Sequence, residues 1–408
     1  MKKILALLLA VVMVFALAAC AAKTEPAAEP APAQEAAPAE EAAPAEEAAP
    51  AEEAAPAEEA APAEEAAPAA DVTVAMITDY GDITDQSFNQ TTYEACKEYC
   101  EANGLGFTYY KPAGDSDAER VAMIEKAIDD GYNTIVMPGY AFAGAIKETA
   151  DLYEDVTFIA LDVGEGDFGD YQLPSNLYSA VYQEELCGYM AGYAAVKLGY
   201  TKLGFLGGMA VPAVVRYGYG FVQGVDAAAG ETGADVSLNY AYGNQFFGDA
   251  DITAAMDTWY QGGTEVVFAC GGGIYSSAAE AAAKVGGKVI GVDVDQAGII
   301  DGQYGEGMTV TSAMKGLAAT VKTLLGQVVD GSFVGGKIET LGLVSAEPTE
   351  NYVQIAPSTQ FADGFTADDY TALVGKMFSG EITVSNDITV SAADNATVVA
   401  VSDLGNIK

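Results

Sequence analysis

The chain has 408 residues, a net charge of −41, no histidine and two arginines, Arg120 and Arg216. So acidic a surface repels nucleic acid and anionic lipid and favours a neutral or cationic small ligand. Without histidine, histidine triads, histidine-ligated zinc and histidine acid–base chemistry are excluded.

Residues 1–20 carry Lys2 and Lys3, an apolar run over 4–16, and then Leu17-Ala18-Ala19-Cys20. The run is short for a bilayer span and has the layout of a secretory signal. Small residues directly before a cysteine resemble the bacterial lipobox, which implies a lipidated Cys20 and a tether on the extracytoplasmic face of the cell membrane. Residues 21–70 are almost wholly Ala, Pro and Glu, with proline at every sixth position from Pro32 to Pro68. That spacing interrupts any helix, and the absence of large apolar residues prevents a core, so a disordered stalk is expected. Fully extended at about 3.1 Å per residue, it would reach on the order of 150 Å. Residues 1–70 hold three Lys and thirteen Glu, which leaves −31 for the remainder.

From residue 71 onward, strand-like and helix-like stretches alternate. Apolar runs at 72–77, 107–110, 134–137 and 156–161 are separated by helical patterns around 85–103, 117–130 and 141–153. A second series places strands at 203–206, 236–240, 266–269 and 288–292, with helices near 182–198, 213–229, 249–261 and 275–285. This rhythm argues for parallel sheets with helices on both faces. An eight-stranded barrel could use the same eight units, but the chain continues through 308–312, 314–329, 338–344 and 352–355. The expectation is therefore an α/β protein of two doubly wound, Rossmann-like lobes joined by hinge crossovers. The first lobe is expected over 71–176 plus 297–332, and the second over 177–296 plus 333–408. Cys96 and Cys100 share a helix face, and with Cys187 and Cys270 they form no CxxC pair; free core thiols are expected.

The chemistry concentrates at strand ends. Residues 78–89 form a strand-to-helix loop in which Asp85 or Thr84 can cap the helix. Asp79, Phe88 and Asn89 are left over as ligand groups. Asp162 follows the strand at 156–161, Gly207-Gly208-Met209 follow 203–206, Gly271-Gly272-Gly273 follow 266–269 and Cys270, and Asp293 follows 288–292. Carboxyl ends of parallel strands are where open α/β sheets bind ligands, and two sheets facing one cleft would bring these groups together. A Gly-x-Gly-x-x-Gly match at Gly164–Gly169 is acidic and runs into Asp170-Tyr171-Gln172-Leu173-Pro174 rather than a helix, so it reads as a surface turn and not a pyrophosphate cradle.

Four stretches together resemble the bacterial basic membrane protein lipoproteins: Asp79-Tyr80-Gly81 with Asp85–Gln90, Glu185–Ala195, Leu203–Met209 and Gly291–Gln296. The resemblance runs from about residue 72 to the helix near 330. It implies a type I periplasmic-binding-protein fold and a purine nucleoside receptor that serves an ABC importer through its permease, with no catalysis and no cofactor. It assigns Phe88 and Phe268 as rings that sandwich the base, Asp79, Asn89 and Asp162 as polar contacts, Gly272 and Gly273 as backbone approach, and Asp293 with Lys315 as the ribose pair. Vicinal hydroxyls donating to a carboxylate and accepting from an ammonium agree with that pair. One departure is Ile274-Tyr275 after Gly272-Gly273, where the family often continues Thr-Gly. A sugar or autoinducer receptor on the same fold, a nucleoside hydrolase with paired carboxylates, and a stalk-displayed interaction protein are the alternatives. A monomer is expected.

Overall fold

The computed structural model describes residues 72–408. The signal segment, the lipidation at Cys20 and the stalk, all expected from the sequence, lie outside the described residues. The largely buried strand β1 (Thr73–Ile77) leads through the loop 78–87 into helix α1 (Phe88–Asn103). There follow β2 (Gly106–Tyr110), α2 (Asp117–Asp129), β3 (Thr134–Pro138), α3 (Ala143–Thr149), β4 (Thr157–Leu161), the single turn α4 (Glu165–Phe168) and β5 (Leu177–Tyr182). The second series comprises α5 (Glu184–Lys197), β6 (Lys202–Gly207), α6 (Pro212–Thr232), β7 (Ser237–Tyr242), α7 (Ala250–Gln261), β8 (Val266–Cys270), α8 (Tyr275–Ala283), β9 (Lys288–Asp293), α9 (Ala297–Tyr304) and β10 (Thr309–Lys315). After it come α10 (Leu317–Asp330), β11 (Lys337–Leu341), β12 (Val353–Ile355), α11 (Ala367–Phe378) and β13 (Ala400–Asn406).

Two sheets result. One runs β11-β5-β4-β3-β1-β2 and is wholly parallel; the other runs β12-β10-β9-β8-β6-β7-β13 and is parallel except for the β10–β12 pair. Parallel neighbours need crossover connections, which put helices on the sheet faces and explain why β3 and β8 are buried along their whole length. Local signals start and stop these helices. Asp85 accepts the N–H groups of Ser87 at 3.0 Å, Asn89 at 2.9 Å and Gln90 at 3.0 Å at the head of α1, and Gly104 in the left-handed region ends that helix. Thr84 bonds Asp82 instead.

The lobe boundaries differ from expectation. β5 belongs to the first sheet although residues from 177 were assigned to the second lobe; β10 belongs to the second sheet and β11 to the first, the reverse of the expected grouping. α10 returns to pack on α1, whereas α9 stays against α8 and β10. The chain therefore crosses between lobes at Gln183, at Gly316 and through residues 342–352. These crossovers are tied together: the N–H of Gln183 donates to Leu341 O at 3.0 Å, that of Gly316 to Tyr352 O at 2.7 Å and that of Tyr352 to Gly342 O at 3.0 Å. A strand's apolar pattern shows that it is buried but not which sheet buries it, and long-range pairing decides that. The four cysteines among the described residues are free and buried, as expected.

Candidate ligand-binding site

A cavity of about 530 Å³ lies where the carboxyl ends of both sheets face each other. Its size falls in the usual range for small-molecule pockets. From the first lobe it is lined by the β1–α1 loop, by Gly139 and Tyr140 after β3 and by Asp162 after β4; from the second, by the start of α6, the loop after β7, the glycines after β8, Asp293 at the end of β9 and Lys315 at the end of β10. Asp79, Phe88, Asn89, Asp162, Gly272, Gly273, Asp293 and Lys315 thus all reach one cavity.

Phe268 does not. It is fully buried inside β8, with ring centroids 5.5 Å from Phe205, 5.3 Å from Phe221 and 6.0 Å from Tyr217. Alternation along the strand points it into the core, so its assignment as a stacking ring is corrected. The aromatic wall from the second lobe is instead built by Phe246 and Phe247, with Tyr217 and Tyr275 beside them. Phe246 and Phe247 lie in the loop beyond the end of β7, where extending the strand-end rule past the five strands it was applied to would have found them, along with Tyr140 after β3.

Lys315 organises the charge. Its Nζ pairs with Asp162 Oδ2, lies 3.4 Å from Glu184 Oε1 and 3.8 Å from Asp293 Oδ1, and sits 4.8 Å from the centroid of the half-buried Phe88 ring. Its side chain is 3% exposed, so these partners replace the water it has lost. Burial alone would lower its pKa, but Asp162, Asp293 and Glu184 hold it above the ordinary lysine value. Burial likewise opposes charge on Glu184, yet the Arg216 guanidinium at 2.7 Å and Lys315 keep its carboxyl below the usual range. For Asp162 burial prevails over the Lys315 attraction and pushes the carboxyl up to about 6. Asp79 is also pushed up by burial, although its Oδ1 accepts the N–H groups of Tyr80 and Gly81, each at 2.6 Å.

Two buried acceptors in this wall, Asn89 Oδ1 and Asp162 Oδ1, have no hydrogen-bond partner. An unsatisfied buried acceptor costs about 1–3 kcal/mol, so both oxygens favour a ligand that donates to them. Backbone strain marks the same loops. Among the described residues the non-glycine positions with positive φ are Gln86, Asp162, Asn244 and Asp293, and three of these four line the cavity. Bonds also cross the cleft: Ser87 Oγ donates to Asp293 Oδ2 at 2.6 Å, Gln296 Nε2 to Gln86 O at 3.1 Å, and Tyr80 Oη approaches Met209 Sδ at 3.4 Å. Glu184, Arg216 and Gln296 escaped the sequence reading as site residues because their part depends on contacts distant in sequence. The glycine-rich match at 164–169 is one helical turn closed by Gly164 N–H to Asp167 Oδ2 at 2.8 Å, away from the cavity.

Comparison with known proteins agrees with this geometry. The family model described as ABC transporter substrate-binding protein PnrA-like, Bmp, matches residues 72–363. The Lactococcus lactis protein named ABC transporter nucleoside-binding protein BmpA is 28% identical over 288 residues, covering 66% of this chain and 78% of its own. The CD4+ T-cell-stimulating antigen of Listeria monocytogenes is 30% identical over 285 residues, with 65% and 76% covered. Two solved ABC transporter solute-binding proteins share the fold, each with a TM-score of 0.60. The one from Aeropyrum pernix is 22% identical, covering 79% of this chain and 90% of its own; the one from Conexibacter woesei is 23% identical, covering 77% and 99%. The likeness shows the fold, the type I periplasmic-binding-protein architecture that the two mainly parallel sheets described above build. This chain belongs to the Bmp family of PnrA-like ABC transporter substrate-binding proteins.

Proposed function

We propose that the protein captures a nucleoside, with a purine base preferred, between its lobes and delivers it to the permease of an ABC importer from a lipid anchor at Cys20 on the extracytoplasmic face of the membrane. The observation that carries this reading is the pair of unpartnered acceptors, Asn89 Oδ1 and Asp162 Oδ1, in the same cavity as the Phe88 ring and the Asp293–Lys315 pair. A nucleoside supplies what each lacks: N–H donors on the base edge for the two oxygens, a flat face for the aromatic ring, and vicinal hydroxyls for the carboxylate and ammonium. Phe246 or Phe247 is the natural partner of Phe88 on the other face.

Nucleotides are disfavoured. Asp79, Asp82, Asp85, Asp162 and Asp293 line the cavity against two lysines, Lys111 and Lys315, so a phosphate would meet a net negative wall. Asp162, Glu184 and Asp293 converge on Lys315 as counter-ions, an arrangement that serves binding rather than paired-carboxylate hydrolysis. Ligand entry completes the site, and the cross-cleft bonds of Ser87 and Gln296 hold the lobes together.

The test is titration calorimetry and thermal melting of the purified chain with inosine, guanosine, adenosine, uridine, guanosine monophosphate, galactose and xylose, with the nucleoside samples checked for released base. The expected result is one-to-one binding of at least one purine nucleoside, weaker binding of the monophosphate by about tenfold or more, and no product. Stabilisation by the sugars alone overturns the nucleoside reading, and released base turns it into a hydrolase.

A further inference from the structure

The segment after residue 363, where the family match ends, builds something onto the second lobe. β13 extends the edge of that sheet in parallel register with β7, from Ala400 opposite Ser237 to Asn406 opposite Tyr242, and the N–H of Ile407 donates to Tyr242 O at 2.8 Å. β7 is the strand whose carboxyl end carries the loop 243–249, with Phe246 and Phe247 on the cavity wall.

We infer that residues 397–408 are a strap whose tip, Lys408, positions the aromatic loop 243–249 for ligand binding. The root of the strap is fixed on α6, where Asp226 accepts the N–H groups of Thr397 at 2.9 Å, Val398 at 2.7 Å and Val399 at 2.9 Å and the Thr397 hydroxyl at 2.8 Å. At the tip the Lys408 ammonium donates to Gln245 Oε1 at 3.3 Å and pairs with Asp249. Gln245 Nε2 in turn donates to Phe247 O at 2.8 Å and Asp249 Oδ2 at 2.9 Å, so one ammonium closes the loop across its two ends. Asp249 is itself held, because its Oδ1 accepts the N–H groups of Asp251 and Ile252, each at 3.0 Å, at the head of α7. On the ligand side, Phe246 O accepts the N–H of Gly273 at 2.9 Å, which ties the loop to the glycines after β8.

The loop has reason to need such a clamp. Phe247 is 59% exposed, and Asn244 holds a φ of 57°. Asn244 and Phe247 are the exposed residues of the loop, and ordering such positions at the moment of binding costs free energy that pre-ordering removes. The strap pre-orders it. Pre-organisation and contact quality show chiefly in the dissociation rate.

The choice of probe rests on the nucleoside reading, whereas the order of the loop is measured without ligand. The full chain is compared with Lys408→Met, Lys408→Arg and Asp226→Ala by hydrogen exchange over 243–249 and by stopped-flow release of inosine. Lys408→Met is expected to raise exchange in the loop and to speed inosine release by about twofold to fivefold, the scale of a part-exposed ion pair, with association unchanged. Lys408→Arg restores both, and Asp226→Ala moves both in the same direction from the far end of the strap. Unchanged loop exchange in Lys408→Met and Asp226→Ala, or faster exchange with unchanged release, overturns the strap. If the unaltered chain binds guanosine or adenosine but not inosine, release of that nucleoside is followed instead; if it binds none of the three, the nucleoside reading fails and loop exchange alone decides the strap.

Discussion

Phe88 and Phe268 look alike in the sequence and differ in what they face. Phe88 is half-buried at the cavity with an ammonium 4.8 Å from its centre; Phe268 is enclosed by other rings. Phe88→Ala should therefore weaken nucleoside binding by about tenfold to a hundredfold, the cost of one lost stack, with little change in melting temperature. Phe268→Ala should do the opposite, lowering stability by about 3–5 kcal/mol through a core cavity. Calorimetry beside denaturant melts separates the two. Equal losses of affinity without loss of stability would restore Phe268 to the cleft. That Phe88 lines the cavity was legible because a residue just after a strand-end loop has few places to go, whereas a residue within a strand takes its face from pairing and pleat.

Asp162 carries a pH signature. Burial pushes its carboxyl up to about 6 from an ordinary value of 3.8, with Lys315 pulling the other way and Glu184 and Asp293 reinforcing the rise. Between those values the native chain holds a proton that the unfolded chain has released, so this group's contribution to stability declines as pH rises through the window. Ligand affinity has the opposite sign. Oδ2 faces the Lys315 ammonium, so a proton taken up by this group sits on Oδ1 and opposes a ligand donor there; affinity should be full above about pH 6 and fall below it by up to about tenfold per unit. Asp162→Asn should flatten that profile, and a variant profile of unchanged shape would remove Asp162 from ligand contact. Glu185, pushed up to about 7 by burial on α5, lies off the cavity and should affect melting rather than affinity.

At the scale of elements, α5 and α6 explain how Glu184 and Arg216 meet. A Cβ on Gly220 would come within 2.0 Å of Glu185 O, and one on Gly224 within 2.0 Å of Tyr189 O, so the helices approach backbone to backbone. That approach sets Arg216 Nε at 2.7 Å from Glu184, whose other oxygen faces Lys315. Gly220→Ala should lower stability by about 1–3 kcal/mol through overpacking, read as a lower urea midpoint. It should also weaken ligand binding by displacing Glu184; a stable variant with full affinity would show that the helix contact does not support the site. Most of the strands and helices were legible from periodicity, since runs such as 135–138 are apolar throughout. β13 was not legible, because its residues are largely exposed and partners far away in the chain hold it: the β7 edge along its length, Asp226 before it and Gln245 and Asp249 after it.

At the scale of the molecule, the lobes meet through a few polar bonds over a cavity. Ser87 Oγ to Asp293 Oδ2, at 2.6 Å, spans the cleft beside the Lys315–Asp162 ion pair, and it engages the proposed ribose carboxylate directly. A hydrogen bond to a charged group contributes about 1.5–3 kcal/mol, so Ser87→Ala should shift the ligand-free chain toward open forms, visible as a larger radius of gyration in solution scattering. Its affinity should fall by less than that of Asp293→Ala, which removes the ligand contact as well as the bridge. An Asp293→Ala chain with intact affinity would rule out a shared cleft.

By itself the sequence determined the alternation of strands and helices, the acidic and histidine-free chemistry, and the placing of Asp79, Phe88, Asn89, Asp162, Gly272, Gly273 and Asp293 at or just beyond strand ends, because these follow from local periodicity and from the general placement of ligands in open α/β sheets; Lys315 was singled out only through the family resemblance. The tertiary structure alone decided which sheet receives β5, β10 and β11, that Phe268 belongs to the core, and that Phe246, Glu184 and Arg216 complete the site. Those outcomes depend on pairing and packing between residues far apart in the chain, and no local pattern of apolar and polar residues encodes a distant partner.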